Sequence, residues 1–397
     1  MKKRITLSAH QMLFFMSYVC ISFNVVLMQN KGLSNTTIGT ILAVTAVISI
    51  VMQPVWGFVS DWIQSTRKIF ILCTGLSAVC YCMLAFSDSA VAVGLIFPLF
   101  SIFSCVLVSL VNTRILTSIS GGSSITYGSI ALWGSIGYAV MAYIIGQHLG
   151  KGFSINILFP VYVIFAAANI TLAFFMKDDK TVKKRARLKD MRVGMLFKNY
   201  YYVTFLIFIL IAYIPISASF GYFVNVVTSL GGTTETTGTI YALRAIAEIP
   251  FFIFAQQLIK KVGTRMVLII SAISFFCIFL AYGLADRLIV ALVAHVFQGP
   301  AYSLLLTAML NYVFELSPQN LRTTAQTILT ATQTGLGSMI GNFLTGRLTD
   351  LVGVSMTYRY ASCIIAFSIV FFLLTLYIGK KLNIPLIPVT GEPAAVT

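Results

Sequence analysis

Twelve apolar stretches, each about as long as a bilayer is thick, run through this chain with only short polar breaks between them. A helix needs about 20 apolar residues to cross the hydrocarbon core. Stretches of that kind lie at residues 11–30, 38–62, 69–87, 90–114, 127–147, 154–176, 201–229, 236–259, 266–284, 288–315, 322–348 and 359–379. Charged residues make up only 10% of the chain, against about 25% in a soluble domain. The expected fold class is therefore an all-α membrane protein of twelve transmembrane helices, with the lipid bilayer as its partner. Lys2, Lys3 and Arg4 precede an apolar run too long for a signal-peptide core, with no small-residue cleavage site behind it. The first stretch is expected to remain as a helix.

The net charge of +16 does not point to nucleic acid, because the positive residues sit in a few loops between apolar stretches. The loop at residues 177–198 alone holds nine Lys and Arg. It divides the chain into an N-terminal half at 1–176, a basic linker, and a C-terminal half at 199–397 with a short tail. Placing both termini on one face puts twenty of the 27 Lys and Arg on that face and five on the other. The positive-inside rule makes the first face cytoplasmic, with the linker, both termini and the tail there. Gly231–Thr237 reads as a loop on the opposite face. All seven cysteines fall inside apolar stretches without metal-ligand spacing, which is the pattern of packing residues. No metal and no cofactor are expected. The sequence has no HExxH, GxSxG or P-loop pattern, so neither an enzyme nor an ATP-driven pump is expected.

A weak internal repeat relates the halves. Gln53–Asp61 reads QPVWGFVSD and Ile249–Gln257 reads IPFFIFAQQ, with Pro54 and Pro250 in the same register. Both are followed by a basic turn, Arg67-Lys68 in one half and Lys260-Lys261 with Arg265 in the other. The fifth and eleventh stretches are both glycine-rich. Two six-helix halves repeated in parallel, with a solute site at the midplane between them, describe one class of secondary transporters.

At these residues the chain resembles the major facilitator superfamily. Gly57, Asp61, Arg67 and Lys68 form a degraded copy of its signature between helices 2 and 3, lacking the usual glycine after the Asp. Within the superfamily the chain is similar to the lactose-permease-like branch, which includes oligosaccharide–proton symporters and a phenylpropionate permease. Gly32–Gly39 (GLSNTTIG), Tyr127–Tyr138 (YGSIALWGSIGY), Ala247–Ile249 and Thr324–Leu329 carry that likeness. The resemblance implies two pseudo-symmetric six-helix halves, alternating access, and gating roles for Asp61 and Arg67. The branch's two helix 5 arginines are Ser129 and Ala131 here, and its acidic residues in helices 4 and 7 are missing. Its helix 10 His–Glu pair falls near Gln298 and Ala301. Its helix 8 acid survives as Glu248.

An ionisable group at membrane depth is costly and so a functional candidate. Glu248 is the one acid near the middle of a stretch, and Arg244 lies one turn before it, where the two can pair. They read either as a structural salt bridge or as the proton-coupling pair, with His295 as a relay. Arg114 either snorkels to the interface or faces the cavity as a substitute for the lost arginine. Tyr138 aligns with the ring on which the sugar permease stacks its substrate. Asn24, Tyr222, Asn225, Gln298, Tyr302 and Gln333 complete the candidate substrate-binding set, all as neutral hydrogen-bonding groups. The function expected is proton-coupled uptake of a sugar or oligosaccharide by a monomer in a bacterial inner membrane. A small organic carboxylate is the alternative substrate, and a drug-type exporter a more distant one. The partners expected are a small-molecule substrate and protons.

Overall fold

A computed structural model describes residues 2–87, 89–119, 127–176, 194–318 and 321–385. Helix α1 runs Lys2–Ser22, breaks at Phe23, and resumes as Asn24–Asn30. Then come α2 (Asn35–Ile63), α3 (Thr66–Met83), α4 (Ala90–Ser104, continuing as Leu107–Ile119), α5 (Tyr127–Gly150) and α6 (Leu158–Phe175). A short helix, Gly194–Lys198, lies within the span expected as linker. The second half contains α7 (Tyr200–Ser229), α8 (Thr234–Val262), α9 (Thr264–Leu284) and α10 (Leu288–Leu316). Helix α11 begins as Arg322–Thr330, passes through a π-helical turn at Ala331–Gly337 and continues over 338–352. Gly353, at φ 80° and ψ 169°, turns the chain into α12 at 354–381. Among the described residues ten runs are long and apolar enough to span by themselves, and the bent α8 makes eleven. The run Thr324–Lys381 contains both α11 and α12, which completes twelve. Helix α8 starts inside the stretch expected as loop, because the Thr233 side chain accepts from the Thr236 N–H and caps it.

The halves repeat each other in packing as well as in order. In the first, α1 packs on α5 and α6, α2 on α4, and α3 on α4 and α6. In the second, α7 packs on α11 and α12, α8 on α10, and α9 on α10 and α12. Each pair in one half has its counterpart six helices later.

Between halves, α5 meets α8 and α2 meets α11. Each contact is a glycine–glycine crossing. A Cβ on Gly146 would lie 2.7 Å from the Gly238 Cα, and one on Gly346 would lie 3.0 Å from the Gly39 Cα. Gly39 and Gly238 both stand five residues after the cap of their helix, Ser34 and Thr233. The two crossings are thus the same contact made twice. Small residues are what allow helix backbones to approach this closely in a membrane.

Both crossings lie at the end of the bundle away from the basic turns. A hydrogen-bonded network between the halves lies there too. Tyr222 Oη donates to the Asn35 carbonyl (3.2 Å), and Asn225 Nδ2 and Gln29 Nε2 each donate to Asn35 Oδ1 (both 2.9 Å). Gln29 also donates to Asn225 Oδ1 (2.7 Å). The Asp350 carboxylate on α11 accepts from Asn35 Nδ2, Thr36 N and Thr36 Oγ1 at 2.8, 2.6 and 2.7 Å. At the basic end the first half has its own core, with Leu7, Phe14, Phe70, Val111, Ile115 and Met176, distinct from the core that joins the halves. The described structure is closed on the face away from the basic turns.

Candidate functional site

Halfway along α8, Arg244 and Glu248 stand one turn apart and form an ion pair with Nη2 3.5 Å from Oε2. Their side chains are 11% and 19% exposed, so the pair is largely out of contact with water. Helix α10 fixes this turn from behind. Gly299 leaves room for the Arg244 carbonyl, which a Cβ there would approach to 2.5 Å. One turn on, Ser303 Oγ donates to the Glu248 carbonyl (3.0 Å). The Arg244 guanidinium sits 4.6 Å from the centroid of the Phe220 ring on α7. Its charge is therefore held by an aromatic face as well as by the carboxylate. Arg244 Nε is buried with no hydrogen-bond partner.

Aromatic side chains extend the site. Tyr302 meets the Phe220 ring edge-on at 5.1 Å, and its hydroxyl lies 3.5 Å from that of Tyr213. From the other half, Tyr138 on α5 shares a 2.8 Å hydrogen bond with Ser22, at the last residue before the break in α1. Tyr138 lies within electrostatic reach of both Arg244 and Glu248, and Tyr18 within reach of Tyr138 and Tyr302. The structure thus brings four predicted residues together, Arg244, Glu248, Tyr138 and Tyr302, at the middle of the bundle and from both halves. Tyr18, Ser22, Tyr213 and Phe220 belong to the same cluster and were not foreseen. Their helical spacing on α1 and α7 was visible in the sequence, but an aromatic in an apolar helix carries no mark of which face it occupies.

His295 is fully buried beside this site in an aromatic box. It stacks on Phe223 with centroids 3.5 Å apart, and its Nδ1 lies 2.8 Å from the Tyr282 hydroxyl. Its Nε2 has no partner, and the ring lies within electrostatic reach of Arg244. Gln298, also fully buried, donates to Ser219 Oγ on α7 (2.6 Å). Gln333 is buried within the π-helical turn of α11. That turn inserts one extra residue into the helix where it passes α7 and α2, and π-turns recur at functional positions.

The remaining predicted residues lie elsewhere. Tyr222 and Asn225 belong to the hydrogen-bonded closure around Asn35, not to the central cluster. Asn24 accepts from the Tyr81 hydroxyl (3.1 Å) inside the first half. Arg114 is buried in that half's interior, 5.3 Å over the Phe70 ring and with Nη2 3.7 Å from Met176 Sδ. It does not join Arg244. Arg67 donates from Nη1 to the Met176 carbonyl at the end of α6 (3.1 Å). The side chain of Asp61 lies outside the described residues. On α5, Gly134 and Gly137 pack tightly on α1, whereas Gly128 faces open space.

Residues 4–360 match the MFS_1 like family. The chain is 28% identical over 359 residues to the uncharacterized transporter YwbF of Bacillus subtilis (strain 168), covering 89% of this chain and 87% of that protein. It is 26% identical over 345 residues to the maltose permease of Geobacillus stearothermophilus, covering 85% of each. The nucleoside transporter NupG superposes with a TM-score of 0.81 at 16% identity, over 96% of this chain and all of that one. A D-xylose–proton symporter superposes with a TM-score of 0.70 at 15% identity, over 93% and 96%. At these identities the solved structures speak to the fold.

Proposed function

We propose, from the premise that this chain belongs to the MFS_1 like family of transporters, that it carries out proton-coupled uptake of a sugar or oligosaccharide by alternating access. One observation carries the reading. The ion pair and the aromatic rings meet at the middle of the bundle, between the halves, where a parallel-repeat transporter holds its solute. A sugar packs its C–H face on a ring and spends its hydroxyls on fixed polar partners. Tyr138 supplies the ring, and Tyr302, Gln298 and Gln333 supply hydrogen bonds. The maltose permease relative supports the substrate class, and the oligosaccharide-symporting branch is where we assign the chain.

Glu248 carries the proton in this mechanism. Paired with Arg244 it is an anion. Protonated, it releases the guanidinium, and the free charge and the neutral acid are both available to a hydroxylated solute. Solute and proton together remove the penalty of moving a charged site through the closed state. His295 relays the proton at the side of the pair. The Asn35, Asp350 and Asn225 network, with Tyr222, forms the outer gate, and Arg67 with Asp61 the gate on the basic face. The protein works as a monomer in a bacterial inner membrane with both termini, linker and tail cytoplasmic, so the closed face of the described structure is the outer one.

A small organic carboxylate is the second reading. It rests on the buried Arg244 Nε that lacks a partner and on the Phe220 ring against the guanidinium. An aromatic acid would fill both. Thermal stabilisation separates the readings, since a ligand that binds the folded state raises its apparent stability. Maltose and related oligosaccharides should stabilise the protein, and their entry into proteoliposomes should alkalinise the medium and be driven by an imposed proton gradient. Stabilisation by benzoate-like acids alone would transfer the site to the second reading. Uptake indifferent to the proton gradient would remove the coupling.

A further inference from the structure

Pseudo-symmetry exposes a second polar site, at the basic end of the second half. Helices α3 and α9 both open with Thr-Arg, at Thr66-Arg67 and Thr264-Arg265. Arg67 reaches the last turn of α6 and donates to the Met176 carbonyl. Arg265, its counterpart, faces the end of α12. Among the described residues it makes no ion pair, and it does not meet a carbonyl there. The corresponding space is an open groove of about 520 Å³.

The groove has two kinds of lining. Arg265, Lys380, Asn383 and Tyr377 line it with polar groups, and Leu376 and Ile384 with apolar ones. The guanidinium is held 5.2 Å from the Tyr201 ring and 5.7 Å from the Tyr312 ring. The rings hold the guanidinium in place at the edge of the groove that Arg265 lines. Tyr201 itself lies against Gly379, where any Cβ would overlap its ring. Asn383 is held in the left-handed region at φ 51° by the turn that ends α12, where the Ile384 N–H meets the Gly379 carbonyl at 2.9 Å. Glu315, the nearby acid, is engaged by the Thr264 hydroxyl. Tyr377 is 64% exposed, an aromatic at the membrane–water boundary.

We propose that this groove binds a phosphoryl anion, in the form of an anionic phospholipid of the leaflet on the basic face. A planar guanidinium beside a lysine matches a phosphodiester's paired oxygens, and the apolar wall of Leu376 and Ile384 accepts the start of an acyl chain. Basic pockets between transmembrane helices at this depth recognise lipid headgroups. The site is separate from the central pair, so it does not depend on which solute is carried.

The whole protein, delipidated in a neutral detergent, is titrated with short-chain phosphatidylglycerol, phosphatidylcholine, glycerol phosphate and inorganic phosphate. Melting temperature and native mass spectrometry are the readouts. Phosphatidylglycerol should raise the melting temperature and remain bound, and phosphatidylcholine should not. Lys380→Gln, at an exposed position that leaves packing intact, should weaken phosphatidylglycerol binding by about fivefold, the worth of one basic residue near the surface. Arg265→Gln should weaken it further, and Lys260→Gln on the same face should leave it unchanged. Equal response to glycerol phosphate would keep the anion site and reassign its source to a soluble phosphoryl group. Equal binding of phosphatidylcholine, or unchanged binding in Lys380→Gln and Arg265→Gln, would overturn the proposal.

Discussion

In the proposed mechanism the coupling rests on Glu248 and Arg244, and their chemistry sets the sharpest expectations. Glu248→Gln keeps the volume and removes the titration. It should abolish accumulation driven by a proton gradient while leaving exchange of solute across equal concentrations, measured with labelled solute in proteoliposomes. Arg244→Gln removes one charge-assisted hydrogen bond, worth ~1.5 kcal/mol, so a carboxylate solute should bind about tenfold more weakly by calorimetry. A neutral sugar should be affected less. Tyr138→Phe loses only the bond to Ser22 and should transport nearly normally. Tyr138→Ala loses the ring and should weaken binding by roughly threefold to tenfold, the worth of an aromatic contact. The pair was legible in the sequence because ionisable groups are so rare in the apolar stretches. The fate of Arg114 was not, since a helix position records depth but not which neighbour a long side chain chooses. Phe70 and Met176 took it into the first half's interior.

Helices explain how the halves come together. The two glycine crossings are equivalent positions on equivalent helices, yet each adds its acid differently. At α2–α11, Asp350 stands four residues after Gly346 and bonds Thr36. At α5–α8 the acid is Glu235, at the place matching Thr36, and it covers Gly150, at the place matching Asp350. Gly238→Leu should therefore hold α5 and α8 apart at the end where they cross. Spin labels at that end of these helices should report the longer separation, and solute uptake should fall while binding persists. Asp350→Ala removes three accepted hydrogen bonds, each exposed and worth ~1 kcal/mol. It should move the population toward the state opened at that end, by the same distance measurement on α2 and α11. The twelve-fold count was readable from apolar length, but the start of α8 was not, since its Thr233 cap lies inside the stretch expected as loop. The break at Phe23 and the π-turn at Ala331–Gly337 were not, because both arise from how α1 and α11 pack against neighbours far away in sequence.

The whole molecule is one half repeated, and the proposed alternating access requires the two to move as units. A flexible thiol cross-link between cysteines placed at Thr36 and Asp350 should stop turnover, and a reducing agent should restore it. The same linker placed between α2 and α4, within one half, should leave uptake intact. The repeat was legible in the register of Pro54 with Pro250 and in the basic turns. That the closed end would be the one lacking those turns was not, since one sequence encodes both the open and the closed arrangement. In the proposed orientation the seal has a consequence for the medium outside. Among the described residues it contains carboxylates, amides, hydroxyls and bare glycine backbone but no ion pair. Dissolved salt screens charge against charge and does little to amides and close-packed backbone. A cell carried from fresh water into brine should find this door shut just as firmly.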